Sequence, residues 1–250
     1  MSLKQFVNER LFALTGNRMI KKDLAFYVEL LRRGGPFSFA RFGDGEWSAI
    51  LGQPGGNCDG HEYFPEMGAK LGKAIIDHYD YFYAIQGRAL KYLGKGIRRF
   101  LTDNAVKITW HDSDIFHRCD NAGTLFPLVE QLRTMKTVVV GPPHLRDLNK
   151  RVFEYAHFIE VPPKNCYLDK DRIRADIAAW SKKEGPAVFC FSASMAANVI
   201  IHELFPAMGA TSWLIDFGSL WDCYVGVDSR GGKSKKYWDV LINQNIGCSK

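Results

Sequence analysis

The chain has 250 residues, 46% of them hydrophobic and 24% charged, a balance that excludes a disordered chain, a collagen-like repeat and a bundle of membrane spans. At this length roughly three quarters of the unfolded chain's surface can be buried, so a core forms without disulfides or a structural metal, and one domain over residues 1–250 is the default. Thirty-three basic residues against twenty-seven acidic ones leave a net charge of +6, which permits a polyanionic partner without demanding one.

Residues 1–35 read as an N-terminal helical segment. Asn8, Glu9 and Arg10 interrupt any signal-peptide core, and Leu24, Tyr27, Val28 and Leu31 recur at helical spacing before the Gly34-Gly35 stop. A short buried strand is predicted over 37–42, then strands over 81–86, 106–110, 137–141, 158–162, 187–192 and 212–216, most of them separated by helical patterning. Strand and helix in alternation predict an α/β fold, and runs such as Val138-Val139-Val140 suit strands covered on both faces. The expected architecture is a Rossmann-like, open, mostly parallel sheet with helices on both faces. The most apolar late run is broken by Ser192, Ser194 and Asn198, so no membrane span is expected. Six cysteines scattered without a CxxC pair predict reduced thiols and a cytoplasmic location. Residues 229–250 form a basic C-terminal segment, whose Gly-rich start at 229–236 reads as a mobile surface loop.

In an open α/β sheet, ligands sit beyond the carboxyl ends of the strands, and here those positions are polar. Arg41-Phe42-Gly43-Asp44-Gly45-Glu46-Trp47 follows the first predicted strand, His111-Asp112-Ser113-Asp114 the third, and Pro142-Pro143-His144 the fourth. Ser192-Ala193-Ser194 follows the sixth and Gly218-Ser219-Leu220-Trp221-Asp222 the seventh. Asp44 and Glu46 are two apart and project from one side of an extended backbone, while Gly43 and Gly45 let a ligand approach the main chain. Such a pair suits Mn²⁺ or Mg²⁺, held by one or two carboxylates with positions left for phosphate oxygens. A solvated turn with one carboxylate paired to Arg41 is the alternative. Ser192 and Ser194 stand where a strand meets a helix beginning near Met195, whose free N–H groups favour a phosphate; Ser194 also suits a plain N-cap.

The run FARFGDGEW at 39–47 resembles the signature of the GT-D type glycosyltransferases, in which R-[FY]-G-D-G-E ends the first strand. The segments FSASMAANVIIHEL at 191–204 and LIDFGSLWDCY at 214–224 are similar to the family's paired late segments, and VPPKNCY at 161–167 to its middle portion. The likeness covers roughly 37–222, with Ser219 standing where the family has a histidine after D-[IF]-G. It implies that Asp44 and Glu46 bind the metal of a nucleotide-diphosphate sugar, with Arg41, Gly43, Gly45, Ser192 and Ser194 around the donor. The activity it implies is metal-dependent transfer of a sugar to a hydroxyl, with stabilisation of the diphosphate leaving group as the main catalytic term. A glycan or glycoprotein acceptor is what the resemblance suggests; a hydroxylated base in DNA is a second choice that rests on the basic balance and the segment Arg230 to Trp238.

Asp222 is the preferred general base toward the acceptor, with Asp216 read as a strand-end carboxylate bonded to backbone. Asp112 is a second catalytic candidate, in a cluster that suits a base, a second metal or a polar loop with capping aspartates; His117 and Arg118 beside it suit phosphate. His61 is a third, in the loop 57–64 that suits sugar or acceptor contacts; Cys58 and His61 lack the second pair that a zinc site needs. Arg230 and Lys233, with Lys235 and Lys236, form a lid over donor phosphates, a nucleic-acid track with Tyr237 and Trp238, or a solvated charge run. Two other classes stay open: a metal-dependent phosphohydrolase in which the same carboxylates activate water, and a non-catalytic nucleotide or nucleic-acid binding module. No GxGxxG opens a helix after a predicted strand, and Phe191-Ser192-Ala193-Ser194-Met195 is not a GxSxG elbow.

Overall fold

The computed structural model describes residues 3–58 and 60–248; Asp59, in the 57–64 loop, and the extreme ends of the two terminal segments lie outside the described residues. Eight strands form one sheet: β1 (Arg18–Ile20), β2 (Ser38–Phe42), β3 (Phe82–Ile85), β4 (Thr109–Asp112), β5 (Thr137–Gly141), β6 (His157–Glu160), β7 (Val188–Phe191) and β8 (Trp213–Asp216). Their order is β1-β4-β3-β2-β8-β7-β5-β6, and every pairing is parallel. The two halves of the chain therefore meet where β2 lies beside β8, with Ser38 opposite Leu214.

The helices are α1 (Leu3–Ala13), α2 (Leu24–Arg32), α3 (Asp44–Ile50), α4 (Pro65–Ile76), α5 (Gly87–Asp103), α6 (Ile115–Ala122), α7 (Phe126–Arg133), α8 (Leu148–Arg151), α9 (Lys170–Glu184), α10 (Ala196–Met208) and α11 (Ile242–Ile246). They cover both faces. Along β5 the side chains alternate, so Val138 and Val140 join one apolar cluster with Trp47, Leu71 and Ile97, while Val139 joins a second with Tyr27, Phe116 and Leu128. The first cluster lies under α1, α3–α5, α9 and α10, the second under α2, α6 and α7. Trp47 is fully buried and packs on Phe42, Phe100 and Trp110, which fixes α3 and the acidic residues at its start.

Three expectations shift. The strand placed at 106–110 is Thr109–Asp112, because the side chain of buried Asn17 takes the backbone of Val106 (2.8 Å) and Ile108 (2.9 Å) before a strand partner can. His111 and Asp112 thus lie in the strand and not after it. The same Asn17 leads into β1, a three-residue strand absent from the sequence reading, which pairs Met19 with Trp110. The expectation that the 229–236 segment is a surface loop holds only in part: helix geometry begins at Lys235, and its side chains are tied down, as described below. Among the described residues no helix is long and apolar enough to cross a membrane, and all six cysteines are unbridged.

Candidate functional site

The acidic pair is built by a helix start, not by an extended strand. After β2 the chain turns at Gly43 and α3 begins at Asp44, where carboxylates are favoured by the positive end of the helix dipole. Glu46 folds back and accepts the Gly43 N–H at 2.8 Å. Two residues apart on a helix, the side chains diverge by about 200°: Asp44 is exposed and pairs with Arg88 at 3.3 Å, whereas Glu46 is half-buried. The expected shared side is corrected, although both groups still line one cavity. Gly45 is required by the Asn57 amide, whose Oδ1 lies 2.1 Å from where a Cβ would stand.

Beneath this turn lies a second carboxylate. Asp216, at the end of β8 and 4% exposed, accepts the Gly218 N–H at 2.8 Å. Burial pushes Asp216 up to about 6, against the pull of Arg41, and burial together with the charge of Asp216 pushes Glu46 up to about 7. Arg41 serves both. Its backbone is clamped by Asn198 of α10, which accepts the Arg41 N–H at 3.1 Å and donates to its carbonyl at 2.6 Å, and its Nε donates to Ser113 O at 3.0 Å. The guanidinium lies over Gly218, where φ is +57° and a Cβ would fall 2.1 Å from Arg41 Nη1. Gly218→Ala is therefore expected to cost about 1–2 kcal/mol from the left-handed backbone alone, read as a lower urea midpoint; an unchanged midpoint would show that the turn relaxes.

A cavity of about 710 Å³ opens above these groups at the carboxyl edge of the sheet. Its wall includes four arginines, Arg41, Arg88, Arg118 and Arg230, together with Asp44, Glu46, Asp114 and Asp216. His117 also lines it; burial and the charges of Arg41, Lys233 and Arg230 hold its imidazole well below the usual range, and its Nδ1 has no hydrogen-bond partner among the described residues. Ser194 faces the cavity with φ +46°, an unusual conformation for serine, and lies 3.4 Å from Asn57 Nδ2. It does not cap α10, whose N-cap is Met195 with no side-chain bond. Arg230 spans the mouth, from Ser219 Oγ (3.3 Å) to Cys58 Sγ (2.8 Å).

Of the residues singled out from sequence, Arg41, Gly43, Asp44, Gly45, Glu46, Ser194 and Arg230 line this cavity and five others do not. Asp222 is buried against His144 Nε2 at 2.9 Å and accepts from the Ser229 hydroxyl. Asp112 is held by Arg118 at 2.6 Å and by the Asp114 N–H at 3.0 Å. His61 is buried 3.9 Å from Cys166 Sγ, Ser192 Oγ is enclosed without a partner among the described residues, and Lys233 is bound to Asp120 and Asn121 at 3.0 and 2.7 Å. Asp222, Asp112 and Lys233 hold neighbouring side chains and loops, and all five side chains lie outside the cavity wall. Arg88 and Asn198 escaped the sequence reading; Arg88, at the start of the helix after β3, had a signal in its strand-end position.

No family model and no curated protein matches the chain. Solved structures do. A domain of unknown function 1792, described as having a distinct glycosyltransferase fold, superposes with TM-score 0.63 at 13% identity over 95% of this chain and 93% of its own. A glycosyltransferase of the same domain type from Streptococcus sanguinis gives TM-score 0.63 at 14% identity, over 89% and 93%. A selenomethionine-substituted structure of this domain type gives 0.61 at 13%, over 94% and 93%. The chain thus has the all-parallel α/β architecture of that glycosyltransferase fold.

Proposed function

We propose that the chain is a glycosyltransferase that takes a sugar from a nucleotide-diphosphate donor bound in the cavity over β2 and β8. The observation that carries this reading is the gathering of four arginines and four carboxylates on the wall of that cavity, at the sheet edge where α/β folds bind ligands. Arg88, Arg118 and Arg230 are placed to hold diphosphate oxygens. Arg41, bonded to Ser113 O and lying over Gly218, keeps the floor of the site in register. His117 borders the cavity with its Nδ1 enclosed and without a partner among the described residues.

The oxygen set fits a hard cation that arrives with its substrate. Among the described residues no three His, Cys, Asp or Glu side chains gather closely enough to hold an ion alone, yet Asp44 and Glu46 share the wall with phosphate-binding arginines. That is the mode of Mg²⁺ or Mn²⁺ held by one or two carboxylates plus phosphates. Bound there, the ion would neutralise charge on the departing diphosphate. The acceptor is a hydroxyl on a glycan, a glycoprotein or a nucleic acid.

The test is a thermal-shift panel of UDP, GDP, CDP and dTDP, with and without Mn²⁺. One nucleotide at a hundred times its dissociation constant adds about 2.7 kcal/mol, raising the midpoint by roughly 5–10 °C. The shift is expected only with Mn²⁺ present and is expected to vanish in Asp44→Ala. No shift with any nucleotide would remove the donor assignment, and full-rate sugar release without an acceptor would favour a hydrolase.

A further inference from the structure

The exposed side of α5 carries a row of cations that starts at the cavity. Arg88, Lys91, Lys95 and the pair Arg98-Arg99 recur every three or four residues, so they share one side of the helix and spread over roughly 15 Å at 1.5 Å per residue. Arg88 stands on the cavity wall. At the far end Arg98, Arg99 and Lys107 border a second cavity of about 700 Å³. Asp103 is the only carboxylate in the helix and pairs with Arg99 at 3.4 Å; Lys91 and Lys95 have no carboxylate partner among the described residues. Tyr92 stands within the row, 60% exposed, with Arg88 and Lys91 at 5.9 and 5.0 Å from its ring centroid. The opposite side, Ala89, Leu90, Ile97 and Leu101, is buried.

The row contributes little to folding: Arg88, Arg98 and Arg99 each hold one partner near the surface, Asp44, Asn8 and Asp103, while like charges one turn apart repel and packing rests on the other side of the helix. A line of cations with an exposed aromatic ring matches the way a nucleic-acid strand is held, by phosphate contacts and by a base stacked on the ring. An anionic membrane surface would want apolar groups among the charges; on α5 itself Tyr92 is the one large hydrophobic side chain exposed, and the exposed Leu11 and Leu14 lie at the far cavity, beyond the row. We propose that α5 is a track for a nucleic-acid strand that leads an acceptor hydroxyl into the cavity at Arg88. This rests on the glycosyltransferase reading and narrows its acceptor.

The experiment follows the anisotropy of a labelled 20-nucleotide DNA, single-stranded and duplex, with the full chain from 50 to 200 mM salt. Four or five phosphate contacts are expected to give a log–log salt slope of about −3 to −4, and Lys91→Ala/Lys95→Ala/Arg99→Ala to remove about 2–3 of it. Lys91→Arg/Lys95→Arg should keep the slope. Tyr92→Ala should weaken single-strand binding on the order of tenfold without changing the slope. The manganese-dependent nucleotide shift should be intact in the triple variant, because these three residues lie outside the cavity. If that shift is absent in the wild type, the donor reading fails; if the shift is present but DNA does not bind at 50 mM salt, only the track fails. Binding that the alanines leave intact also overturns it, as does binding to phosphatidylserine vesicles or heparin without binding to DNA.

Discussion

Asp120→Ala is expected to lower the unfolding free energy by about 3–5 kcal/mol, the cost of breaking a buried ionic network from one side. Asp120, on α6, is 1% exposed, and its carboxylate is the point to which the C-terminal segment is moored. It accepts from the Tyr224 hydroxyl at 2.7 Å, from Tyr237 at 2.8 and 3.0 Å, from Lys233 Nζ at 3.0 Å and from Asn245 Nδ2 at 3.1 Å. Burial and the Asp120 charge hold both phenols well above their ordinary range, so they stay donors at any working pH. Removing the carboxylate strands four donors, three of them, Lys233, Tyr237 and Asn245, on the tail. For a chain of this length the melting midpoint should fall by roughly 10 °C, and limited proteolysis should cut within 229–236. Because Arg230 rides on that segment, the nucleotide shift should weaken as well. Asp120→Asn, which keeps one acceptor oxygen but loses the charge and turns the other acceptor into a donor, should fall between. A midpoint within about 2 °C of the wild type would mean that the tail is held by its apolar contacts instead.

Much of this was written locally in the sequence and some was not. β5 was legible to the residue because Val138, Val139 and Val140 form an apolar run bounded by Thr137 and Gly141. So was the polar carboxyl edge, since strand ends can be read one segment at a time. The start of α3 was misread because D-x-E was taken in extended geometry, although an acidic first turn after a glycine is itself a helix-start pattern. β1 and the displaced start of β4 depend on Asn17 reaching residues 89 and 91 positions away, which no local window contains. The surroundings of Asp222 were hidden in the same way: a carboxylate after a strand looks free until His144, 78 positions earlier, is found against it. Pairing across long sequence separations decides which polar residues remain available to a ligand, and composition and periodicity are blind to it.

Glu46→Gln is the substitution that bears most directly on chemistry, and its stability effect should depend on pH in a defined direction. Burial raises the folded-state Glu46 to about 7 from its ordinary 4.5, so between roughly pH 4.5 and 7 the native state holds more protons than the unfolded one. Stability contributed by protonated Glu46 is thus present at low pH and lost as pH rises through that window. Asp216, raised to about 6 from 3.8, adds a decline in the same sense between roughly pH 4 and 6. Glutamine has no proton to lose. The wild type should therefore lose stability relative to Glu46→Gln from pH 5 to pH 8, by on the order of 1–3 kcal/mol, visible in paired melting curves. A flat difference would place Glu46 in contact with solvent and leave Arg41 guarding Asp216 alone. Activity should move the opposite way: at pH 8, where the variant is the more stable protein, transfer should drop on the order of a hundredfold, because stabilisation of the leaving group is lost. With Mn²⁺ and the bound nucleotide the ionised carboxylate gains a partner, so the wild-type decline should flatten while the variant's curve stays unchanged. That separation would tie the raised proton affinity of Glu46 to the cation it is proposed to help bind, since a carboxylate that served only to close the first turn of α3 would keep its pH dependence whether or not ligand was present.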